Sequence, residues 1–261
     1  MSKRRREGVD LNNVLSVHAA NGALQRTFDA DIIQSIRYMA TELTLNSILP
    51  PRVALIAALR GEGVTHTAVA LGLTLANDTG AKICIVELNW WSPGMIALLD
   101  PKVITAEVSK HDHKKSRPLP SPTALASYPG LSGVLSGKRS LNEAIIHSNL
   151  PNFDLIPAGE VPIAKRPSTA RSPSLRQVLD QLSTDYDHLL LDIPAIRTTS
   201  DSIALASLAN ACIVVAHQGA TSTASVQKAL DDVKSLTMLG VVLNKVSVNM
   251  PNWIRSLVPQ E

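Results

Sequence analysis

With 261 residues, 45% of them hydrophobic and 18% charged, the chain is long enough for one sizeable core and too apolar to be disordered. A formal net charge of +3, with the basic residues clustered rather than spread along one face, does not by itself argue for nucleic acid, and none is expected as a partner. No run approaches the roughly 18 apolar residues of a membrane span, and no apolar stretch follows the basic block Lys3-Arg4-Arg5-Arg6 as it would in a secretory signal.

In chain order, residues 1–28 read as a polar, mobile, basic tail. Between Asp31 and Leu45 the apolar positions Ile32, Ile33, Ile36, Met39, Ala40 and Leu43 recur at helical spacing. Pro50-Pro51 stops that helix and leads into a strand at 53–57. A glycine-containing turn at 58–65 and a helix at 66–77 follow. Further strands are expected at 82–87, 153–156, 188–193, 211–216 and 239–243. One helix begins at Ser140 with a capping box closed by Glu143. A second begins at Ser172-Pro173, cap then proline, and presents Leu175, Val178, Leu179 and Leu182. A third presents Val226, Ala229, Leu230, Val233 and Leu236. Strands alternating with such helices imply right-handed crossovers and a mostly parallel sheet with helices on both faces.

Aromatic residues are only 3%, so the core is expected to be aliphatic, as parallel sheets tend to be. Cys84 and Cys212 fall inside strands and read as small buried hydrophobes in a reducing cytoplasm. The segment 107–126 carries Lys110, His111, His113, Lys114, Lys115 and Arg117, then Pro118, Pro120 and Pro122, and reads as an exposed loop. Its two histidines lack a nearby third metal ligand. The domain is therefore placed at 29–246, with a tail at 247–261 whose Trp253, Ile254, Leu257 and Val258 form an apolar patch suited either to a partner or to the domain itself.

The order strand, turn, helix at 53–77 aims backbone amides and a helix N-terminus at phosphates. Against the usual G-x-x-x-x-G-K-[ST], Gly63 falls on the second glycine, Ala58 on the first, Val64 on the lysine and Thr65 on the magnesium-binding hydroxyl. Taken alone, this also fits an ordinary strand-to-helix turn.

Its companions decide the matter. They are Lys82-Ile-Cys-Ile-Val-Glu-Leu-Asn-Trp-Trp-Ser-Pro93, Gly130-Leu-Ser-Gly-Val-Leu-Ser-Gly137, Asn152-Phe-Asp-Leu-Ile-Pro-Ala-Gly159 and Asp185-Tyr-Asp-His-Leu-Leu-Leu-Asp-Ile-Pro-Ala195. The apolar strand around Cys212 and Leu239-Gly-Val-Val-Leu-Asn244 complete the set. In this order and spacing the chain resembles the bacterial tyrosine kinases of capsule and exopolysaccharide assembly, a branch of the MinD/ParA-like P-loop group. The resemblance implies a three-layer P-loop NTPase-type α/β fold, with ATP and magnesium as cofactors. It implies a nucleotide-binding loop of Arg60, Gly61, Glu62, Gly63, Val64, Thr65 and His66, where the family reads like P-G-E-G-K-S-T. The family's second acidic motif, D-x-D, stands here as Glu87-Leu88-Asn89. Asp192 matches the Walker B aspartate, so Thr65, Glu87 and Asp192 are the implied magnesium set, with Glu87 and Asp192 catalytic. Asn244 matches a position that contacts adenine in related ATPases.

The departures are uneven in their physics. Loop amides survive a lysine-to-valine change; the charge on the phosphate oxygens does not, and one ion contact at about 4 Å is worth about 4 kcal/mol at an effective dielectric of 20. Phosphoryl transfer rests almost wholly on positioning and such charge. Arg60 is the one substitute cation in the loop. The three tyrosines, Tyr38, Tyr128 and Tyr186, are scattered, where the family ends in a tyrosine cluster. The family's oligomerisation pattern E-x-x-R-x-x-R is reduced to Gln34, Arg37 and Ala40, so a homo-oligomer would rest on Arg37. The expectation is a degenerate member: a cytoplasmic regulator or scaffold, reaching the inner face of the membrane through a separate chain-length or export protein. The alternatives are an active divergent kinase or ATPase using Arg60, Glu87 and Asp192, and a MinD/ParA-like positioning ATPase, whose second loop lysine falls at Leu59.

Overall fold

The computed structural model describes residues 15–19, 24–45, 49–100 and 128–246. The basic block, the segment 107–126 and the stretch 247–261 lie outside the described residues. The elements are β1 (Leu15–His18), β2 (Gln25–Phe28), α1 (Ala30–Leu45), β3 (Arg52–Ala57), α2 (Val64–Thr79), β4 (Ile83–Glu87), α3 (Met95–Leu99), α4 (Gly130–Leu135) and α5 (Leu141–Ala144). They continue with β5 (Ile146–His147), β6 (Phe153–Ile156), α6 (Arg166–Ala170), α7 (Pro173–Asp185), β7 (His188–Asp192), α8 (Asp201–Ala206), β8 (Ala211–His217), α9 (Thr223–Asp232) and β9 (Thr237–Asn244).

Seven strands form one sheet in the order β5-β6-β4-β7-β3-β8-β9. Every neighbouring pair is parallel except β5 with β6. Because side chains alternate across a strand, the sheet builds two cores. Val53 and Leu55 of β3, Ile83 and Ile85 of β4 and Leu190 of β7 face α1, α2, α3 and the β1–β2 pair. Ala54, Ile56, Cys84, Val86, Leu189 and Leu191 face the other way, onto α7, α8 and α9. This is the expected three-layer α/β fold with helices on both faces. Both cysteines are free and buried, and burial pushes both thiols above their ordinary value, as expected of packing residues.

The helices follow their local signals. In α7, Ser172 accepts a hydrogen bond from the Leu175 amide, proline opens the first turn, and Leu175, Leu179 and Leu182 are buried, one stripe at 3.6-residue spacing. The Ser140–Glu143 capping box is present, but its helix is a single turn. Ile145 is already extended and Ile146 enters β5, since a β-branched pair suits a strand edge better than a second turn.

Residues 15–19 and 24–28 correct the reading of residues 1–28 as a mobile tail. Leu15 pairs with Phe28 and His18 with Gln25 in an antiparallel ladder, burying Val17, Ala19, Leu24 and Phe28. Burial of those four side chains supplies the stability that a two-stranded unit lacks alone. Arg37, considered for a subunit interface, pairs within the chain with Asp78 of α2 at 2.8 Å.

Candidate phosphate loop and the strand ends beside it

β3 is fully buried from Val53 to Ala57 and lies between β7 and β8, so the loop that follows it emerges at the centre of the sheet's C-terminal edge. There Gly61 and Gly63 take φ of 80° and 94°, backbone geometry that a side chain strains. Gly63 also abuts Asn244: a Cβ there would stand 2.0 Å from the Asn244 amide nitrogen. α2 starts at Val64 with no side-chain cap, leaving its first amides to the loop, an arrangement suited to an anion.

The loop is pinned by its own acid and by the last two strands. Glu62 is buried; one carboxylate oxygen accepts the Leu59 amide at 3.2 Å and the other accepts the Thr221 hydroxyl. The Asn244 side-chain amide donates to the Glu62 carbonyl at 2.8 Å. Lys245, at φ 56°, donates its ammonium to the Gly61 carbonyl at 2.9 Å. Asn244, expected at a nucleotide base, is here a brace of the loop. Lys245 and Thr221 escaped the sequence reading, because nothing local marks a residue that acts across the sheet.

A cavity of about 470 Å³ opens on the loop, lined by Arg60, Val64, Thr65 and His66, with Asn89 and Pro194 opposite. Val64 is half-buried and packs against the core below the sheet's α1–α2 face, so an apolar side chain stands where the charge would be. His66 meets Phe28 edge-on, ring centres 5.0 Å apart. Arg60, at the rim of this cavity, donates one guanidinium N–H to the Trp91 carbonyl at 3.1 Å.

Glu87 and Asp192 are register partners at the ends of β4 and β7, both buried and both on the α1–α2 face. Glu87 was expected to hold magnesium. Instead one of its oxygens accepts the amides of Gly94 at 2.5 Å and Met95 at 2.9 Å, and the other accepts the amide of Ala158 at 2.9 Å. The carboxylate thus caps the N-terminus of α3 and ties it to the turn after β6, consistent with an anion at a helix start. Asn89 accepts the Ser92 amide at 3.0 Å, stabilising the same turn, and Trp90 is buried with its ring N–H on the Ala158 carbonyl. Neither Glu87 nor Asp192 lines the loop cavity; Thr65 does. The loop's amides therefore fit a phosphate group, whereas a magnesium site through Glu87 does not fit. Among the described residues no group of three or more His, Cys, Asp or Glu side chains forms a metal site, and no helix is long and apolar enough to cross a membrane.

No protein-family model matches the chain. Among characterised proteins it is similar to the tyrosine-protein kinase CpsD of Streptococcus agalactiae, 23% identical over 203 residues and covering 77% of each chain. It is similar also to the tyrosine-protein kinase YwqD of Bacillus subtilis, 26% identical over 196 residues, 74% of this chain and 71% of that one. Among solved structures, the kinase domain of the Escherichia coli tyrosine kinase ETK superposes with a TM-score of 0.65 at 18% identity, covering 84% of this chain and 79% of that one. The septum site-determining protein MinD of Pyrococcus horikoshii, solved with Mg-ADP, gives 0.52 at 19% identity, covering 79% and 76%.

Proposed function

We propose that this chain, which belongs to the bacterial tyrosine kinase and MinD-like P-loop proteins, has kept the phosphate loop as a binding element and given up phosphoryl transfer. In this reading it serves as a cytoplasmic regulator or scaffold of capsule or exopolysaccharide assembly, working beside a separate membrane protein of chain-length control or export. The observation that carries it is Glu87. A carboxylate whose two oxygens accept three backbone amides is committed to holding α3 and the turn after β6, and its partner position in the acidic pair is an asparagine, which cannot act as a base.

Val64 supports the same reading. A bound nucleotide would supply its phosphates to the loop, and the residues placed to hold it are the amides of 60–66 with Thr65. The neutralising charge on which phosphoryl transfer depends is missing from that set, and one N–H of Arg60 donates to the Trp91 carbonyl. The capsule setting is drawn from the CpsD relatives; the partner and the place at the membrane's inner face belong to the same proposal.

The test is incubation of the purified chain with magnesium and radiolabelled ATP, followed by phosphotyrosine detection, beside calorimetric titration of ADP. The expected result is no phosphotyrosine. Tyrosine phosphorylation that vanishes in Asp192→Asn would overturn the reading and restore an active enzyme.

A further inference from the structure

The two edges of the seven-stranded sheet are finished differently. At one end β5 is only Ile146–His147, too short to template another strand, and the next residue, Ser148, bridges Ala19 of the β1–β2 unit. At the other end β9 runs from Thr237 to Asn244, pairs with β8 on its inner side and meets no described strand on its outer side. Natural sheets protect such an edge with lysine, proline, a bulge or a covering element. β9 holds no charge and no proline. Its one irregularity falls between the pairs Cys212–Met238 and Ile213–Gly240, and Gly240 to Asn244 then run in regular register against Ile213 to His217. A cover is the device that remains.

The outer strand also has the chemistry to be covered. Of the nine large apolar side chains exposed among the described residues, four fall here: Met238, Val241, Leu243 and Val246, all 44–60% exposed. Val242 packs against the α1–α2 core, so Val241 and Leu243 on either side of it lie on the opposite face. There α9 packs onto the sheet through Ala229 and leaves these two open. The strip ends at Asn244 and Lys245, the pair that brace the phosphate loop.

The chain itself supplies a matching surface. From Val246 it continues directly into residues 247–261, where Trp253, Ile254, Leu257 and Val258 fall at i, i+1, i+4 and i+5, the spacing of one helix face. Asn252 stands where such a helix takes its cap, and Pro259 where it stops. About two turns are too few to hold helical form in water alone; they lack an apolar surface, as β9 lacks a cover. Residues 247–252 span at most about 20 Å when extended, which matches the roughly 20 Å along the strand from Met238 to Asn244. Trp253 can therefore reach any point on β9. A tether this short sets an effective concentration on the order of millimolar, which favours this segment over a separate protein or a second copy.

We propose that residues 247–261 fold back on the chain's own β9, the apolar face of 253–258 lying against Met238, Val241 and Leu243, and so close the open edge of the sheet beside the phosphate loop. The contact needs no nucleotide and stands apart from the loop's chemistry.

The test reads Trp253 in the full chain, as the difference between the emission of the wild type and that of Trp253→Phe, so that Trp90 and Trp91 cancel. The expected emission is shifted to the blue and shielded from acrylamide relative to a free peptide of residues 247–261, at a level independent of protein concentration. Val241→Thr/Leu243→Thr places strand-favouring residues at two exposed positions and is expected to return Trp253 to the quenching of the free peptide. Stability gives a second readout. Val241→Thr/Leu243→Thr and Ile254→Ser/Leu257→Ser are each expected to lower the thermal midpoint by about 4 °C or more. Combined, the two pairs should lose no more than the larger of them, because both remove the same contact. Trp253 as open to acrylamide in the chain as in the peptide overturns the proposal, as does shielding that survives Val241→Thr/Leu243→Thr. Shielding that grows with protein concentration assigns the segment to a second copy and overturns it equally. Additive midpoint losses do the same.

Discussion

The phosphate loop and the end of β4 stand side by side, and each departs from the kinase pattern in a different way. The loop keeps its backbone, with two left-handed glycines and a helix start without a side-chain cap, and lacks a side-chain charge at Val64. The end of β4 keeps a side-chain charge and has turned it inward, onto the amides of Gly94, Met95 and Ala158. A missing charge on an intact cradle is one substitution away from return. A charge that holds the fold together is not, because removing it for chemistry would loosen α3 and the turn after β6.

The largest expected effect probes the inward charge. Glu87→Ala leaves three buried amides without their acceptor and is expected to cost about 3–5 kcal/mol, read by urea unfolding. A cost below about 1 kcal/mol, typical of a surface position, would break the comparison, since the carboxylate would then be free for other work. Next comes the loop backbone. Gly63→Ala must place a methyl against the Asn244 amide at φ 94° and is expected to cost about 2 kcal/mol, whereas Gly61→Ala, strained in φ but with open space around it, costs about 1 kcal/mol. Val64→Lys sharpens the other half of the comparison. Calorimetry should show ADP affinity raised about tenfold or more, as one added ion contact implies, with phosphotyrosine formation still absent.

The smallest effect is at the capping box of α5. The Glu143 carboxyl is drawn down to about 2, chiefly by the Ser140 amide, then by the Ser140 hydroxyl and Arg139. Its folded value lies below its ordinary one, so its contribution is present above the model-peptide value near 4.5 and is lost as pH falls from there towards 2. The stability difference between wild type and Glu143→Gln should therefore shrink across that window, and an unchanged difference at pH 2 would speak against the cap.

The strands were legible because a buried parallel sheet writes itself as short apolar runs, and 153–156 is the clearest case, identical in sequence expectation and structure. The loop was legible through Gly61, Gly63 and the helix behind them. The β1–β2 pair was not, since Leu15, Val17 and Ala19 alternate over only five residues and the pair's stability comes from α1 and α2 rather than from itself. The role of Glu87 was also hidden. Whether a carboxylate at a strand end faces a ligand or caps a helix depends on where the chain goes next, and Gly94 and Ala158 approach it from segments 7 and 71 residues away. The bracing by Thr221, Asn244 and Lys245 is of the same kind, written in tertiary contacts alone.

The strand order carries a further consequence, in time rather than in space. β3, which launches the phosphate loop, finds its neighbours in β7 and β8, with Arg52 opposite Leu189 and Val53 opposite Ala211. On a ribosome its apolar face must wait until most of the chain has emerged, and pairings this distant in sequence are slow to close. The binding loop is therefore among the last parts of the molecule to become ordered, and a nascent chain halted before β8 presents the glycines of the loop without the sheet that gives them their shape.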